Sequence, residues 1–355
     1  MSDEKKRPRT SRFRRSSRFR SPKEPARASE KKKEEAPATP PAEEKTPPET
    51  PPAEVAPVAV AQTNVITVNV KEWFQSPALS DVIKFSHWGK YERRVEMGIH
   101  MILSILRQHD VKATFFVLGI VAREFPELIK MISSEGHEVG TMGYYNRRLH
   151  SIPPGDYIKE IEMSVALLKS LTGKDVALHR APNWSVTQHT LWVMEILRTF
   201  NINYDSSIFP VNAILYGIEN APRFPYLINP SGIIEFPPST LSIIGKNISL
   251  FWSTFFRMVP YGLIKMAIKN INSQGYPVMV SVSPWEVEGG FPRMDLGLEG
   301  YLSQHAGVGN TASHLTSLLG DFSFNTMTSV LETNPPTDSV HLNTLQDKRK
   351  GNVFE

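Results

Sequence analysis

The 355-residue sequence contains no cysteine, which excludes disulfide bonds and thiolate metal ligands. It also lacks any apolar run approaching the roughly 20 residues that a membrane-spanning helix needs. The amino terminus carries basic residues without a following apolar segment, so it does not have the form of a Sec-type signal peptide. These absences fit a reducing compartment, and we expect a cytoplasmic protein.

Aliphatic residues are nearly absent from the first 63 residues, where Pro, Glu, Lys, Arg, Ser and Ala dominate. Such a composition cannot bury enough apolar surface to offset the entropy lost on ordering. Residues 1–33 contain 14 Lys or Arg against 4 Asp or Glu, and the next segment is rich in Pro and Glu. We therefore predict a disordered tail over residues 1–63, first basic and then Pro/Glu-rich.

The basic part of the tail contains two near copies of Ser-Arg-Phe-Arg, beginning at Ser11 and Ser17. Arginine interleaved with phenylalanine suits phosphate contacts and base stacking, which makes nucleic acid a candidate partner. An anionic membrane surface or an acidic protein would attract the same charges. A solvated arm without a specific partner is the third interpretation.

The rest of the chain alternates short apolar runs rich in β-branched residues with segments of helical periodicity. Strands are predicted at 65–70, 113–118, 137–143, 176–182, 204–208, 233–236, 277–282 and 322–326. Helices are predicted at 94–108, 127–134, 157–171, 187–200, 261–273 and 312–319. This alternation indicates parallel βαβ units over residues 64–330, in a barrel or a doubly wound sheet, followed by a short polar tail at 331–355.

Several long motifs then occur in a characteristic order: 112–119 (KATFFVLG), 136–139 (GHEV), 180–182 (RAP), 204–210 (YDSSIFP), 215–218 (LYGI), 221–225 (APRFP), 235–240 (EFPPST) and 284–286 (PWE). Together they resemble the NodB-type polysaccharide deacetylases, and in particular a subfamily associated with bacterial exopolysaccharide loci. The resemblance implies an α/β fold, a distorted (β/α) barrel with a divalent metal in its mouth. It also implies removal of acetyl groups from N-acetylated sugars.

In that family a metal held by one Asp and two His activates water, a second Asp accepts its proton, and a His protonates the leaving amine. The resemblance puts the base at Asn69, the metal ligands at Glu72, Met142 and Asn146, and the general acid at Ser283. A carboxamide is essentially non-basic, and neither a thioether nor an amide replaces imidazole for zinc. Ser283 has no proton to donate near neutral pH.

Other motif positions are kept or altered in ways that bear on the same site. Arg180 is retained, and in the family this arginine orients the catalytic carboxylate. Lys71 places a cation beside Glu72, which opposes metal binding. We therefore predict a pseudoenzyme without a cofactor, one that binds a polysaccharide or other N-acetylated glycan, or a protein partner, in exopolysaccharide metabolism.

An active metal-dependent N-deacetylase with a rebuilt zinc site is the alternative interpretation. Its candidate ligands are Glu72, His150, His179 and Asp205. His179 precedes Arg180 on a predicted strand, so the two side chains should point to opposite faces.

The predicted substrate-binding residues are Arg180, Pro182, Trp184, Trp285 and Glu286. Trp184 and Trp285 follow the carboxyl ends of strands, where barrel active sites open. Large aromatic residues near strands are otherwise more often part of the core. A third hypothesis makes the basic tail the functional element and the barrel an assembly module.

Overall fold

A computed structural model describes residues 62–80, 82–213 and 216–346. The predicted disordered tail, apart from its last two residues, lies outside these ranges, as does the end of the predicted carboxy-terminal tail. The domain boundaries and the cytoplasmic location therefore stay predictions. Within the described ranges, no helix combines the length and the hydropathy needed to cross a bilayer.

The strands form one large sheet and a separate hairpin. They are β1 (Asn64–Val70), β2 (Thr114–Val117), β3 (Glu138–Thr141), β4 (Leu178–His179), β5 (Tyr204–Asp205), β6 (Tyr226–Asn229), β7 (Ile233–Glu235), β8 (Leu241–Ile243), β9 (Lys246–Ile248), β10 (Met279–Val282), β11 (Phe324–Asn325) and β12 (Ser339–His341). The sheet order is β10-β1-β2-β3-β4-β5-β7-β6-β12, with β11 also paired to β1, and β8 pairs with β9. Pairing is parallel except in β6–β7 and β8–β9.

Helices follow most of the strands, as parallel crossovers require. They are α1 (Val95–Gln108), α2 (Gly119–Glu124), α3 (Pro126–Ser134), α4 (Pro154–Thr172), α5 (Val193–Thr199), α6 (Ser253–Met258), α7 (Tyr261–Asn272), α8 (Pro284–Glu288), α9 (Gly297–His305), α10 (Asn310–Asp321), α11 (Met327–Thr333) and α12 (Leu342–Leu345). The predicted α/β class with a mainly parallel sheet is confirmed.

The sheet curves into a distorted barrel that hydrogen bonds between strands do not close. After β7, Pro237 and Pro238 have no backbone N–H to donate, so strand pairing stops there. Next to β10, the segment that ends at Trp252 forms a parallel bridge with Ser281. The Ser281 N–H donates to the carbonyl of Phe251 over 2.9 Å.

The core explains why β1 reads as a nearly continuous apolar run. All seven of its residues are buried, as expected for a parallel strand covered on both faces. On the outside, α1 packs closely against α8, and Gly98 makes this possible. A Cβ atom there would lie 2.4 Å from the carbonyl oxygen of Pro284. This contact places the start of α8, and with it Ser283, over the end of β1.

The predicted polar tail at 331–355 contains regular structure up to residue 345. Strand β12 pairs in parallel with β6, and Leu345 at the end of α12 is 1 % exposed. Strand β12 is only three residues long, with exposed residues at both ends. A run that short has no detectable periodicity, which is why the sequence pattern did not predict it.

Candidate functional site

The site lies at the carboxyl ends of β1, β4 and β10, around the fully buried side chain of Arg180. Among the described residues, its guanidinium donates only to neutral acceptors: Thr67 Oγ1 at 2.9 Å, Asn69 Oδ1 at 3.0 Å, Ser281 Oγ at 3.3 Å, the Ser206 carbonyl at 3.1 Å, Ser206 Oγ at 2.8 Å and Met279 Sδ at 2.9 Å. Burial lowers the pKa of Arg180 to about 9, although Asp205 and Glu235 oppose the change. Arg180 therefore holds its charge inside the barrel with no carboxylate of the described ranges bonded to it.

Asn69 occupies the inward-facing end of β1, where the resemblance implies a catalytic carboxylate. Its Oδ1 accepts from Arg180, and its Nδ2 donates to Ser281 Oγ over 3.0 Å. Both ends of the amide are thus engaged, which determines its orientation. The amide oxygen serves as the neutral acceptor for Arg180 and offers no basic lone pair.

Lys71 lies two residues further along, on the same inward side as Asn69, since side chains alternate along an extended chain. It is 4 % exposed, and its Nζ donates to Asn183 Oδ1 over 2.9 Å. Burial lowers the pKa of Lys71 to about 7; nearby Glu286 opposes this change, while Arg148 and Arg180 add to it. An amine therefore stands at the mouth of the barrel.

Asn183 and Trp184 hold this arrangement in a strained backbone. Both are in the left-handed region, with φ of 55° and 50°, immediately after Pro182. Residues other than glycine cost about 1–3 kcal/mol each in such conformations, and they persist where the surrounding structure requires them. The turn brings the Asn183 amide to Lys71 and the Trp184 ring under the barrel mouth.

Glu72, predicted at a metal-ligand position, is directed elsewhere. Its Oε2 accepts the backbone N–H of Arg94 over 3.0 Å, so it caps the amino terminus of α1. Burial raises the pKa of Glu72 to about 7, against the lowering effect of backbone hydrogen bonds from Arg94 and Val95. It is not among the residues lining the cavity beside Lys71.

Met142 and Asn146 do not complete a metal site either. Met142 is 2 % exposed and packs in the main hydrophobic core. Asn146 donates from Nδ2 to the carbonyl of Gln75 over 2.8 Å. In the described part of the chain, no group of three or more His, Cys, Asp or Glu side chains could hold a metal ion.

The remaining ligand candidates do not face the interior site around Arg180. His150 is exposed, in the short 3-10 turn Leu149–Ser151. His179 bonds through Nδ1 to Asp205 Oδ1 and through Nε2 to the Tyr157 hydroxyl, each over 2.6 Å. His179 and Asp205 thus lie on the sheet face opposite Arg180, as predicted for His179. The residues present do not fit the metal that the fold family implies.

Ser283 and Glu286 begin α8 and cap it. The Ser283 N–H donates to Glu286 Oε2 over 2.8 Å, and Glu286 Oε1 lies 3.4 Å from Arg257 Nε. Burial raises the pKa of Glu286, and Arg257 and Lys71 oppose the change. The Arg257 guanidinium lies 5.0 Å from the ring centroid of Trp285. Glu286 is therefore part of a buried support for Ser283 and Trp285.

Two cavities meet at Trp252, a residue that the sequence patterns did not single out. The inner one has a volume of about 10 Å³ and is lined by Asn69, Lys71, Pro77, Trp184, Trp252, Ser253, Ser281, Ser283, Trp285 and Glu286. The outer one has a volume of about 220 Å³ and is lined by Phe209, Val211, Asn212, Ala213, Tyr216, Asn247, Ile248, Ser249, Trp252 and Phe255. Trp252 follows the β8–β9 hairpin in the sequence, and no motif around it indicated that it would lie between the two cavities.

Of the predicted site residues, the structure brings Asn69, Trp184, Ser283, Trp285 and Glu286 to the inner cavity, together with Lys71. Arg180 lies directly beneath them, bonded to Asn69. Pro182 is buried at the start of the strained turn. Glu72, Met142 and Asn146 remain outside.

Comparisons with known proteins agree with this architecture. Residues 96–199 match the sequence model of the polysaccharide deacetylase family, and residues 206–332 match DUF3473, a domain of unknown function. A peptidoglycan-N-acetylglucosamine deacetylase of Bacillus cereus is 36% identical over 85 residues, which cover 24% of this chain and 31% of that protein. A peptidoglycan deacetylase of Helicobacter pylori is 33% identical over 113 residues, 32% of this chain and 38% of that protein.

The chain thus spans about a third of the length of these curated relatives. A crystal structure from Mycobacterium smegmatis, assigned to the polysaccharide deacetylases, superposes with a TM-score of 0.52 at 20% identity. The superposition covers 80% of this chain and 94% of that one, and it supports the fold alone. Residues 96–199 thus match the polysaccharide deacetylase family in sequence, and the fold of the described region superposes on that of a protein assigned to the same family.

Proposed function

We propose that this protein is a non-hydrolysing member of the polysaccharide deacetylase family that binds an N-acetylated glycan in bacterial exopolysaccharide metabolism. A protein partner of such a glycan-modifying system is the other ligand that the same surface would serve. One observation carries the proposal. The base position holds Asn69, whose amide is bonded at both ends and cannot accept a proton.

Hydrolysis of an acetamide needs an activated water, a base and an acid, because the amide is unreactive and its amine leaves poorly. Asn69 and Ser283 supply neither the base nor the acid. Met142 and Asn146 are held by the core and by Gln75, so they do not converge as ligands. Lys71 puts a hydrogen-bond donor where a metal site would need acceptors.

The names of the two bacterial relatives concern peptidoglycan, an N-acetylated glycan, and motivate the choice of ligand class to test. The outer cavity offers aromatic rings and the polar side chains of Asn247 and Ser249. Sugar sites commonly combine a hydrophobic ring contact with a few convergent polar groups. This arrangement can retain a glycan without a chemical step.

The test uses the full-length protein equilibrated with zinc, cobalt and nickel and then freed of unbound metal. Metal content is measured by mass spectrometry. Deacetylation is assayed with N-acetylglucosamine oligomers, and binding of the same oligomers is measured by calorimetry. We expect binding with neither stoichiometric metal nor turnover. Stoichiometric metal together with turnover would refute the proposal and favour the rebuilt-site alternative.

A restored variant serves as the matched control for the turnover assay. It combines Asn69→Asp, Met142→His, Asn146→His and Ser283→His with Lys71→Glu, which removes the competing amine. Under the proposal, this variant binds metal and the wild type does not. An enzyme with an unorthodox working site would instead lose activity on these five changes.

A further inference from the structure

The inner cavity beside Lys71 is small, and its lining includes the Lys71 side chain and three tryptophans. Its volume of about 10 Å³ has room for about one water-sized oxygen atom. Lys71 is the one basic residue among its lining residues, and one of the N–H bonds of its Nζ is used, toward Asn183 Oδ1. An ammonium group carries three N–H donors and no acceptor.

Two tryptophans of the same lining add further donors. Trp184 and Trp285 are 5 % and 3 % exposed, and neither indole Nε1 has a hydrogen-bond partner among the described residues. The Nδ2 of Asn183, next to Lys71, is also buried without a partner. Glu286 Oε1 in the same lining is a buried acceptor that also has no hydrogen-bond partner among the described residues. Buried donors are normally paired, so two unpaired indole N–H groups and the spare N–H groups of Lys71 in one lining indicate room for a further acceptor.

The outer cavity explains where the rest of a ligand would lie. It shares the half-buried Trp252 with the inner cavity, and the rings of Phe209 and Tyr216 lie 5.6 Å and 6.3 Å from that of Trp252. Its volume of about 220 Å³ accommodates a sugar ring against these aromatic faces. A substituent of such a ring would reach past Trp252 toward Lys71.

We propose that Lys71, Trp184 and Trp285 form a binding site for one carbonyl-type oxygen of a sugar whose ring lies in the outer cavity. The oxygen belongs either to an acetamido group or to a carboxylate, since both present the same acceptor. This inference rests on the proposed glycan binding and identifies the group recognised. In place of a metal ion that would polarise the carbonyl for attack, the site holds the Lys71 side chain, whose N–H groups donate hydrogen bonds to it.

The first experiment compares wild type, Lys71→Met and the surface control Lys174→Met by calorimetry. The probes are oligomers of N-acetylglucosamine, of glucosamine and of galacturonic acid. We expect Lys71→Met to weaken binding of a carbonyl-bearing oligomer about 10- to 100-fold, with Lys174→Met unchanged and glucosamine oligomers bound weakly by all three. Preference for the acetylated or the carboxylated oligomer identifies the source of the oxygen. Equal binding by wild type and Lys71→Met would overturn the inference while leaving glycan binding intact.

The second experiment tests the oxygen site without any glycan. Acetate and acetamide are titrated into the protein, with sodium chloride as the ionic-strength control, while the indole N–H signals are followed by NMR. We expect saturable shifts for Trp184 and Trp285, assigned with Trp→Phe variants, and their loss in Lys71→Met. Absence of these shifts in wild type would overturn the site. Shifts without any oligomer binding would instead refute the proposed glycan function.

Discussion

Lys71→Met should stabilise the protein at neutral pH, because burying the Lys71 amine away from water costs the wild type folding free energy that methionine does not cost. Its pKa falls from 10.5 to about 7 on burial. Between these two values the unfolded chain binds a proton that the folded chain does not, so the stability of the wild type rises with pH across this window. This lowering of the Lys71 pKa corresponds to about 5 kcal/mol. At pH values below 7 the wild type is less stable by this whole amount.

Methionine keeps most of the side-chain length and removes the charge. The change leaves Asn183 Oδ1 without its donor and takes a nearby cation from Glu286, which together cost about 2 kcal/mol. The net expectation is a free energy of unfolding about 2–3 kcal/mol higher for Lys71→Met than for wild type at pH 7. That advantage should disappear as the pH approaches 10, because the lysine of the unfolded chain then also begins to lose its proton.

Urea denaturation followed by circular dichroism at pH 7, 8, 9 and 10 measures this difference directly. Titration of the other groups cancels in the comparison of wild type with Lys71→Met, and Lys174→Met reports the effect of losing an exposed lysine. A difference between wild type and Lys71→Met that stays constant over this pH range would show that Lys71 titrates normally. Lys71 would then not be a desolvated amine at the site.

Three further changes test other parts of the fold and site. Asn69→Asp places a carboxylate about where Arg180 now meets an amide oxygen, so it should raise the free energy of unfolding at pH 7 by about 1–3 kcal/mol. This gain should be lost in acid, where the carboxylate is protonated, and urea titration at pH 7 and 3 measures the difference. Gly98→Ala should lower the melting temperature, costing about 1–3 kcal/mol, because its Cβ would collide with the backbone of Pro284. Burial and Asp205 raise the pKa of Glu235 well above its ordinary value, so the folded state keeps a proton there that the unfolded chain loses. Glu235→Gln should therefore change stability by less than about 1 kcal/mol near pH 4 and become stabilising relative to wild type as the pH rises to 8; no such trend in urea midpoints would contradict the protonated carboxyl.

Sequence patterns predicted most of the fold because its elements follow local rules. The apolar run of β1 and the helical spacing of α1 and α7 were identified within a residue or two of their bounds. Pro126 marked the start of α3, as proline at the first helical position usually does. Short elements such as β8, β9 and β12 escaped prediction, since three residues show no period and depend on tertiary partners.

The site divides in the same way. The order of motifs and the types of residue at positions 69, 142, 146 and 283 were available from the chain alone, and they led to the hypothesis that base, ligands and acid are replaced. The register of the first motif did not reveal that Lys71 faces the cavity while Glu72 caps α1. That direction depends on where the chain leaves β1 and on the position of the helix that receives the carboxylate.

The sequence by itself thus determined the class of fold, the family relationship and the chemistry that each side chain can or cannot perform, because these depend on local periodicity and on functional groups. Tertiary structure alone decided which groups meet. Arg180 gained neutral acceptors from two strands, β1 and β10, and from Ser206 next to β5, and Trp252 was brought to a parallel bridge with Ser281. Such meetings join residues far apart in the chain, and only the packing of the whole barrel sets the distances between them.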